Sequence, residues 1–264
     1  MAISENPILL PFLRLLVGLF IGQENLKLHD TLDWEQLRDR FKKNEIKYPD
    51  YYLSQNFHGI KNGYLNKIAP VTYDAVTRFA APPNERKLRQ KAISIINGQP
   101  QRILDLGCGT GSSTLMLKKV FPNATVIGLD LSPYMLIMAE NKSKKANLAI
   151  DWQQGLAEAT SFSDNEFDLI SVAFLFHETP VAISRAILQE CLRLLKPGGQ
   201  IVILDGNQQR LRYTDWLIKL FREPYSKVYA AENIDDWLQD LGFQEVQTKY
   251  VGWISQMTTA ATGK

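Results

Sequence analysis

The amino-acid sequence predicts an α/β protein with a doubly wound, mainly parallel sheet of seven strands, an antiparallel edge pair and a helical N-terminal extension. Two observations lead to this fold class. From about residue 100 onward, strand-like apolar runs alternate with helix-like segments, which is typical of a parallel sheet covered by helices on both faces. A glycine-rich stretch follows the first of these strands, at 107–111, and in open α/β sheets such a turn borders the ligand crevice.

Apolar runs place the strands, and N-cap, Pro and Gly signals place the helices between them. The predicted strands are 102–106, 124–130, 148–155, 167–176 and 200–205, with an antiparallel edge pair inside 243–260. The predicted helices are 112–121, 132–146, 181–195 and 234–243. Ser132 followed by Pro133 is a strong helix start, and Gly198 and Gly199 follow the end of another helix.

Composition limits the functional classes. The chain has 264 residues, 45% of them hydrophobic, with 30 Lys and Arg against 28 Asp and Glu, a net charge of +2. This balance lacks the basic excess typical of nucleic-acid binding, so no nucleic-acid partner is expected. Cys108 and Cys191 are isolated and show no metal-ligand spacing, so we expect no metal site and a reducing, cytoplasmic location.

We divide the chain into an N-terminal helical extension, residues 1–90, which caps the substrate side, and a sheet domain, residues 91–264. Within the extension, 30–44 and 68–80 are predicted helices, and the aromatic stretch 48–65 is a predicted ordered loop. Residues 7–22 are apolar apart from Arg14. At about 1.5 Å per residue this segment is too short for a hydrocarbon core of ~30 Å, and without a basic segment before it no secretory signal is expected.

Two interpretations of residues 7–22 stay open. The segment is either a helix packed on the domain or on a partner chain, or a membrane-surface anchor near a lipophilic substrate. The second would make the protein membrane-peripheral. The oligomeric state is not predicted.

The glycine turn is predicted to cradle a ligand. Gly107, Gly109 and Gly111 allow positive φ and close backbone approach. Their G-x-G-x-G spacing differs from the G-x-G-x-x-G of dinucleotide-binding turns. Asp105, two residues before the first glycine, is poorly placed for phosphates and suits a cation such as an ammonium or sulfonium group. A tight turn without a ligand is the alternative.

A second carboxylate narrows the cofactor class. Asp130 ends the second predicted strand, where an acid accepts hydrogen bonds from ribose hydroxyls. Acids at both strand ends favour an adenosyl cofactor that carries an amino acid. An oxidoreductase with a nicotinamide cofactor remains the alternative.

The chain resembles the class I S-adenosylmethionine-dependent methyltransferases, a Rossmann-like family, over about residues 70–257. The resemblance rests on four stretches, "ILDLGCGTG", "VIGLDLSPYMLIMAE", "QGLAEATSFSDNEFDLI" and "LLKPGGQIVILD". It implies S-adenosyl-L-methionine as cofactor, and within the family the small-molecule and quinone-type enzymes are the most similar. The implied cofactor-binding residues are Tyr73, Asp105, Gly107, Cys108, Gly109, Gly111, Asp130, Leu131, Gly155, Leu156, Ala157 and Ala173.

The adenine side departs from the family pattern. Many relatives carry G-D-A where this chain has Gly155, Leu156 and Ala157, so the acid that accepts from the adenine amino group is absent. The resemblance then implies apolar and backbone contacts to adenine, or a contact from the neighbouring Glu158.

The stretch after the fourth strand faces the transferred methyl group in this family. Here it contains His177 and Glu178, the predicted catalytic pair, with His177 as base or acceptor-orienting group. The alternative is that His177 only caps the next helix or lines the pocket. The Asn/Asp-Pro-Pro-aromatic motif of nucleic-acid amino-methyltransferases is missing. His29 and His58 lie outside the motif region and are weaker candidates.

The predicted methyl acceptor is a small apolar or aromatic molecule. Its pocket is expected between 48–65 and 207–229, which supply Phe57, Tyr64, Tyr213, Trp216, Phe221 and Tyr225. An aromatic lining suits such a ligand, and it suits core packing equally well. A protein that binds the cofactor without transferring its methyl group is the alternative function.

Overall fold

The computed structural model of the chain describes residues 23–80 and 84–263. The apolar segment 7–22 lies outside the described residues, so both interpretations of it stay predictions. None of the described helices is both long and apolar enough to cross a membrane.

The described residues form one seven-stranded sheet in the order β3-β2-β1-β4-β5-β7-β6. The strands are β1 Arg102–Leu106, β2 Thr125–Asp130, β3 Asp151–Gln154, β4 Phe167–Ala173, β5 Leu195–Gly206, β6 Gln244–Val251 and β7 Ser255–Ala261. Strands β1 to β5 are parallel, whereas β7 is antiparallel to both β5 and β6. The predicted fold class is confirmed. The strand order reverses beside β1, which places a ligand crevice at the carboxyl ends of β1 and β4.

The described helices cover both faces of the sheet and build the extension. They are α1 Gln23–Thr31, α2 Trp34–Phe41, α3 Asp50–Leu53, α4 Ile68–Ala80, α5 Glu85–Ser94, α6 Ser112–Val120, α7 Pro133–Lys145, α8 Val181–Leu194, α9 Gln208–Leu211, α10 Asp215–Phe221, α11 Ser226–Ala231 and α12 Ile234–Asp240. Ser132 caps α7 by accepting a hydrogen bond from the Met135 amide, as its sequence signal predicts.

Several helices differ from the sequence prediction, since α1, α3, α5, α9, α10 and α11 were not predicted. The helix expected over 30–44 begins later, as α2, because Asp33 caps α2 by accepting from the Gln36 amide at 3.1 Å. Helix α5 was missed since its ten residues carry few apolar side chains. It packs on the sheet through Leu88, Ala92 and Ile93, and it also buries an ion pair between Glu85 and Arg89.

Strand β4 is shorter than predicted, and this change shapes the site. The continuous apolar run to residue 176 indicated a strand, but β4 ends at Ala173. Phe174 has φ +60°, a left-handed conformation that is strained for a bulky residue. The chain then turns into a 3₁₀ helix, Phe176–Glu178. The next strand, β5, begins at Leu195, earlier than the predicted residue 200.

Buried apolar side chains lie on both faces of the sheet. One cluster joins the sheet to α8 and α12 through residues such as Ile187 and Trp237, and the other joins it to α5 and α6 through Leu88 and Leu117. A third cluster packs Trp34 and Val71 of the extension against Tyr134 and Ile137 of α7. The extension is therefore anchored on the helix that follows β2.

Candidate functional site

A cleft opens at the carboxyl ends of the parallel strands, the usual place for a ligand in an open α/β sheet. Its sheet side includes Gly107, Gly109, Asp130, Leu131, Gly155 and Ala157. Its other side is aromatic and comes from the extension, with Tyr51, Tyr52, Phe57, Tyr64 and Tyr73. Eight of the fourteen sequence-predicted site residues line this cleft, since Tyr73 and Glu178 join the six on the sheet side.

The three glycines of the turn serve different purposes, although all have positive φ, of +69°, +55° and +77°. A Cβ on Gly107 would approach Leu175 to 2.9 Å, and one on Gly111 would meet the Trp152 ring at 2.5 Å. A Cβ on Gly109 would have no heavy atom within 4 Å. Gly111 therefore allows helix and strand to pack closely, while Gly109 keeps the cleft open.

Cys108 lies between these glycines and faces the protein interior. Its backbone N–H donates to the Leu129 carbonyl at 2.9 Å, and burial raises the pKa of its thiol well above the usual value. A thiol of this kind is unreactive at neutral pH, so Cys108 contributes its backbone to the turn.

Asp105 lies beneath the turn rather than in the cleft. Its carboxylate is 1% exposed and accepts a hydrogen bond from the Thr114 hydroxyl at 2.5 Å. Burial raises the pKa of Asp105, although the Thr114 hydroxyl and Arg89 act in the opposite direction. The side chain thus holds α6 against β1. The sequence interpretation had placed Asp105 in direct contact with the cofactor and did not include this position.

Asp130 is the carboxylate at the end of β2 and lines the cleft. One oxygen accepts from the Gly109 N–H and the other from the Ser132 N–H, both at 2.8 Å. Burial raises the pKa of Asp130 to about 6, although these two N–H groups favour the charged form. A partly buried carboxylate with remaining lone pairs in a cleft suits a ligand that brings hydroxyl donors.

The predicted adenine side combines backbone and apolar groups. Leu131, Gly155 and Ala157 line the cleft together with Glu158, which accepts from the Tyr51 hydroxyl at 3.0 Å. Leu156 makes an isolated β-bridge with Ala159 and does not line the cleft.

Ala173, the last residue of β4, packs on the sheet core rather than on the cleft. Ala173 thus joins Asp105, Cys108, Gly111 and Leu156 as a predicted cofactor residue that does not line the cleft.

A second cavity adjoins the cleft. Tyr73, Phe174 and Glu178 line both spaces, so the two cavities meet at these three side chains. The apolar walls of the second cavity include Leu211 and Phe221. At this junction the Arg89 guanidinium lies over the ring of the strained Phe174, 5.1 Å from the ring centre.

The predicted acceptor walls are only partly present. Phe57 and Tyr64 line the cleft and Phe221 lines the second cavity. Tyr225 packs beside Phe57 and Tyr64. Tyr213 and Trp216 are 86% and 57% exposed, so the expectation that they form a pocket wall is wrong. They follow α9, where the chain turns toward solvent.

His177 lines the second cavity and is held by Asp205. Its Nδ1 lies 2.6 Å from Asp205 Oδ1, and Asp205 also accepts from the Leu175 and Phe176 N–H groups. Burial alone would lower the pKa of His177, but Asp205 and Glu223 raise it to about 10. The raised pKa favours the protonated ring, in which Nε2 carries an N–H. The predicted role of His177 as base or acceptor-orienting group stays a prediction.

Glu178 lines both cavities and is held by two side chains of the extension. Its Oε1 accepts from the Tyr64 hydroxyl at 2.6 Å and from His58 Nε2 at 3.0 Å. Burial alone would raise the pKa of Glu178, but His58 and then His177 hold it below the usual value. Glu178 is therefore ionised at neutral pH.

His58 is a site residue that the sequence interpretation ranked below His177. Its Nδ1 lies 3.2 Å from the Phe221 carbonyl, so both ring nitrogens donate, one to that carbonyl and the other to Glu178. Glu178 raises the pKa of His58 against the effect of burial. No periodicity or motif links positions 58 and 178, which are 120 residues apart, so only the folded chain brings them together.

Comparison with known proteins agrees with this geometry. A family model described as a methyltransferase domain matches residues 103–199, which include the glycine turn, Asp130 and Glu178. Residues 103–199 of this chain are thus similar to a methyltransferase domain. The predicted resemblance to class I S-adenosylmethionine-dependent methyltransferases is confirmed.

Among curated proteins, the chain is similar to the demethylmenaquinone methyltransferase of Thermus thermophilus, with 36% identity over 53% of this chain and 63% of that protein. It thus spans less than two thirds of that relative's length. The enzyme of the same name from Listeria monocytogenes is 29% identical over 72% of this chain and 88% of its own. The solved phosphoethanolamine N-methyltransferase 2 of Haemonchus contortus, in complex with S-adenosyl-L-methionine, shares the fold. Its TM-score is 0.61 at 15% identity over 85% of this chain and 62% of that chain.

Proposed function

We propose that the protein transfers the methyl group of S-adenosyl-L-methionine to a small apolar acceptor of quinone type. The observation that carries this proposal is the cleft at the glycine turn, where Gly109 leaves open space beside the partly buried carboxylate of Asp130. When bound, the cofactor supplies an electrophilic methyl group on a sulfonium ion. The protein then has to bind, orient and exclude water, and these effects account for much of the rate of such reactions.

The residues of the cleft fit the parts of this cofactor. In the proposed arrangement Asp130 accepts from the ribose hydroxyls, and the open backbone of Gly107 and Gly109 faces the methionine portion. Leu131 and Ala157 pack on adenine. Asp105 and Gly111 act by shaping the turn, because neither lines the cleft.

The acceptor class rests on two observations. The second cavity meets the cleft at Tyr73, Phe174 and Glu178 and has apolar and aromatic walls. Two similar proteins are named demethylmenaquinone methyltransferases, which supports a ring-containing apolar acceptor here. We also propose that residues 1–90 act as the cap on the substrate side, because five aromatic side chains of this segment face the cleft.

The test is methyl transfer itself. The purified protein is incubated with methyl-labelled S-adenosyl-L-methionine and demethylmenaquinol, and the lipid phase is examined for labelled product by mass spectrometry. The proposal predicts product that accumulates with time and is absent with the acceptor or the protein left out. Binding of S-adenosyl-L-methionine without transfer to demethylmenaquinol or to a panel of smaller quinols would favour a non-catalytic binding protein.

A further inference from the structure

The second cavity presents two side-chain groups with unused hydrogen-bonding capacity. All the contacts that Glu178 makes with described residues use Oε1, which leaves Oε2 without a partner among them. His177 uses Nδ1 for Asp205, and its Nε2 lies 3.9 Å from both Glu178 Oε1 and Glu223 Oε1, beyond hydrogen-bond distance.

Both groups face the cavity rather than the protein interior. Across the described residues, every fully buried side-chain nitrogen or oxygen has a hydrogen-bond partner. Glu178 Oε2 and His177 Nε2 are therefore open to the cavity that both residues line. The open oxygen belongs to a carboxylate whose pKa is held low, so it is an acceptor, and the raised pKa of His177 favours an N–H donor at Nε2.

The acceptor and the donor belong to neighbouring residues, and each is fixed by other contacts. His58 and Tyr64 hold Glu178, and Asp205 holds His177. One small ligand group that both donates and accepts a hydrogen bond satisfies this pair. A hydroxyl does so, whereas an ether oxygen only accepts and an aromatic amine mainly donates.

We propose that the second cavity is the binding site of the methyl acceptor, and that it recognises a ring-bound hydroxyl, which donates to Glu178 and accepts from His177. The inference rests on the proposed methyl transfer and adds the group that is recognised and the residues that do so. Because Glu178 also lines the cofactor cleft, this hydroxyl is fixed next to the transferred methyl. A hydrogen bond to a carboxylate also increases the electron density of the acceptor ring, which favours attack on an electrophilic methyl group.

The walls of the cavity agree with a flat apolar ring beside that hydroxyl. Tyr73, Phe174 and Phe221 supply aromatic surface, and Leu211 and Ile254 supply aliphatic surface. Glu223 is a further carboxylate of the cavity, but it accepts from the Ser226 hydroxyl at 2.5 Å and does not line the cofactor cleft. Glu178 is therefore the carboxylate placed at the junction.

The test compares three probes of one shape by calorimetry, each titrated into the full chain saturated with S-adenosylhomocysteine. The probes are 2-naphthol, 2-methoxynaphthalene and 2-naphthylamine. We expect 2-naphthol to bind about tenfold or more tightly than either of the others, because a hydrogen bond to a charged buried group contributes that much. Equal affinities, or tightest binding of the amine or the ether, would overturn the proposal.

Two substitutions test the roles of the two side chains. Glu178→Gln can keep an oxygen toward His58 and Tyr64 while replacing the open acceptor by an N–H donor, so it should weaken 2-naphthol about tenfold without weakening 2-methoxynaphthalene. His177→Asn can keep a donor for Asp205 and lose the Nε2 donor, so it should weaken both oxygen-containing probes. If Glu223→Gln, and not Glu178→Gln, causes the loss of 2-naphthol binding, the assignment to Glu178 is wrong.

The control separates this inference from the proposed function. His29→Gln removes a half-buried histidine outside both cavities that is also paired with a carboxylate, Asp30, and should leave all three affinities unchanged. Each variant is first titrated with S-adenosylhomocysteine, which reports folding and the cofactor cleft. If S-adenosylhomocysteine binds and the probe pattern is absent, the acceptor-site inference alone fails. If S-adenosylhomocysteine does not bind the wild-type chain, the proposed function fails.

Discussion

At the scale of single residues, the cleft depends on a carboxylate that is already partly buried before any ligand binds. Asp130 accepts two backbone N–H groups, and burial still raises its pKa from 3.8 to about 6. Because the folded-state pKa is raised, this group contributes stability that is fully present below about pH 4 and is lost as pH rises to about 6. The ionised form of Asp130 therefore lowers the stability of the fold when the cleft is empty. Its carboxylate oxygens remain able to accept hydrogen bonds from a ligand.

Cofactor affinity should follow the opposite pH dependence. Ribose hydroxyls donate to the ionised carboxylate, so binding becomes weaker as Asp130 takes up a proton. We expect the dissociation constant of S-adenosylhomocysteine to rise by up to roughly tenfold per pH unit below pH 6, the limit for one linked proton. Calorimetry of the wild type and of Asp130→Asn between pH 5 and 8 measures this. An equal pH dependence in the two proteins would rule out Asp130 as the linked group.

The residues on each side of the site differ in how far sequence alone could identify them. Asp130, Gly107 and Gly109 sit in local signals, a strand end and a turn, and the structure brings them to one cleft. The pairing of His58 with Glu178 depends on long-range packing that no local pattern encodes. The raised pKa of His177 could not be predicted because it depends on Asp205, which lies on the neighbouring strand, β5.

At the scale of elements, three glycines separate the effect of backbone strain from the effects of crowding a neighbour and of filling the cleft. Gly98, Gly109 and Gly111 all have positive φ, but only Gly111 lacks room for a Cβ. We expect each alanine substitution to cost about 1–2 kcal/mol of unfolding free energy through φ strain. Gly111→Ala should cost a further ~1–3 kcal/mol because it crowds Trp152. Urea denaturation of the three variants measures these differences.

The same series tests the cleft. Gly98 lies far from it in the turn before β1, so Gly98→Ala is the matched control for φ strain. Gly109→Ala should lose about as much stability as Gly98→Ala and, in addition, bind S-adenosylhomocysteine more weakly, because its methyl group enters the cleft. A Gly109→Ala variant with wild-type affinity would contradict the placement of the cofactor at this turn.

Strands and helices with local signals were predicted well, and the errors have physical causes. Buried strands and capped helices such as β2 and α7 are specified by their own residues. The end of β4 was predicted three residues too late, because an apolar run does not reveal that Phe174 adopts positive φ. Helix α5 was missed because only Leu88, Ala92 and Ile93 of its ten residues are apolar and buried, a pattern too short to stand out among its charged residues.

At the scale of the whole molecule, the extension and the sheet are joined around the cleft. Asp74 of α4 accepts from the Thr110 hydroxyl of the glycine turn at 2.5 Å and pairs with Lys142 of α7 at 2.7 Å. The aromatic side chains of the extension therefore lie over a turn to which their own segment is bonded. The division into residues 1–90 and 91–264 stays a prediction, as does the role of residues 7–22.

The most direct measurement is a calorimetric titration of the wild-type chain with S-adenosyl-L-methionine at pH 7.5, with Asp130→Ala and Asp151→Ala titrated alongside. Asp151 is an exposed carboxylate on the adjacent strand β3 and serves as the matched control. We predict binding of one cofactor per chain, weakened about 5- to 150-fold by Asp130→Ala, the effect of losing about 1–3 kcal/mol of paired polar contacts. Asp151→Ala should bind as the wild type does. No binding to the wild type, or the same affinity in Asp130→Ala, would contradict the assignment of the cleft.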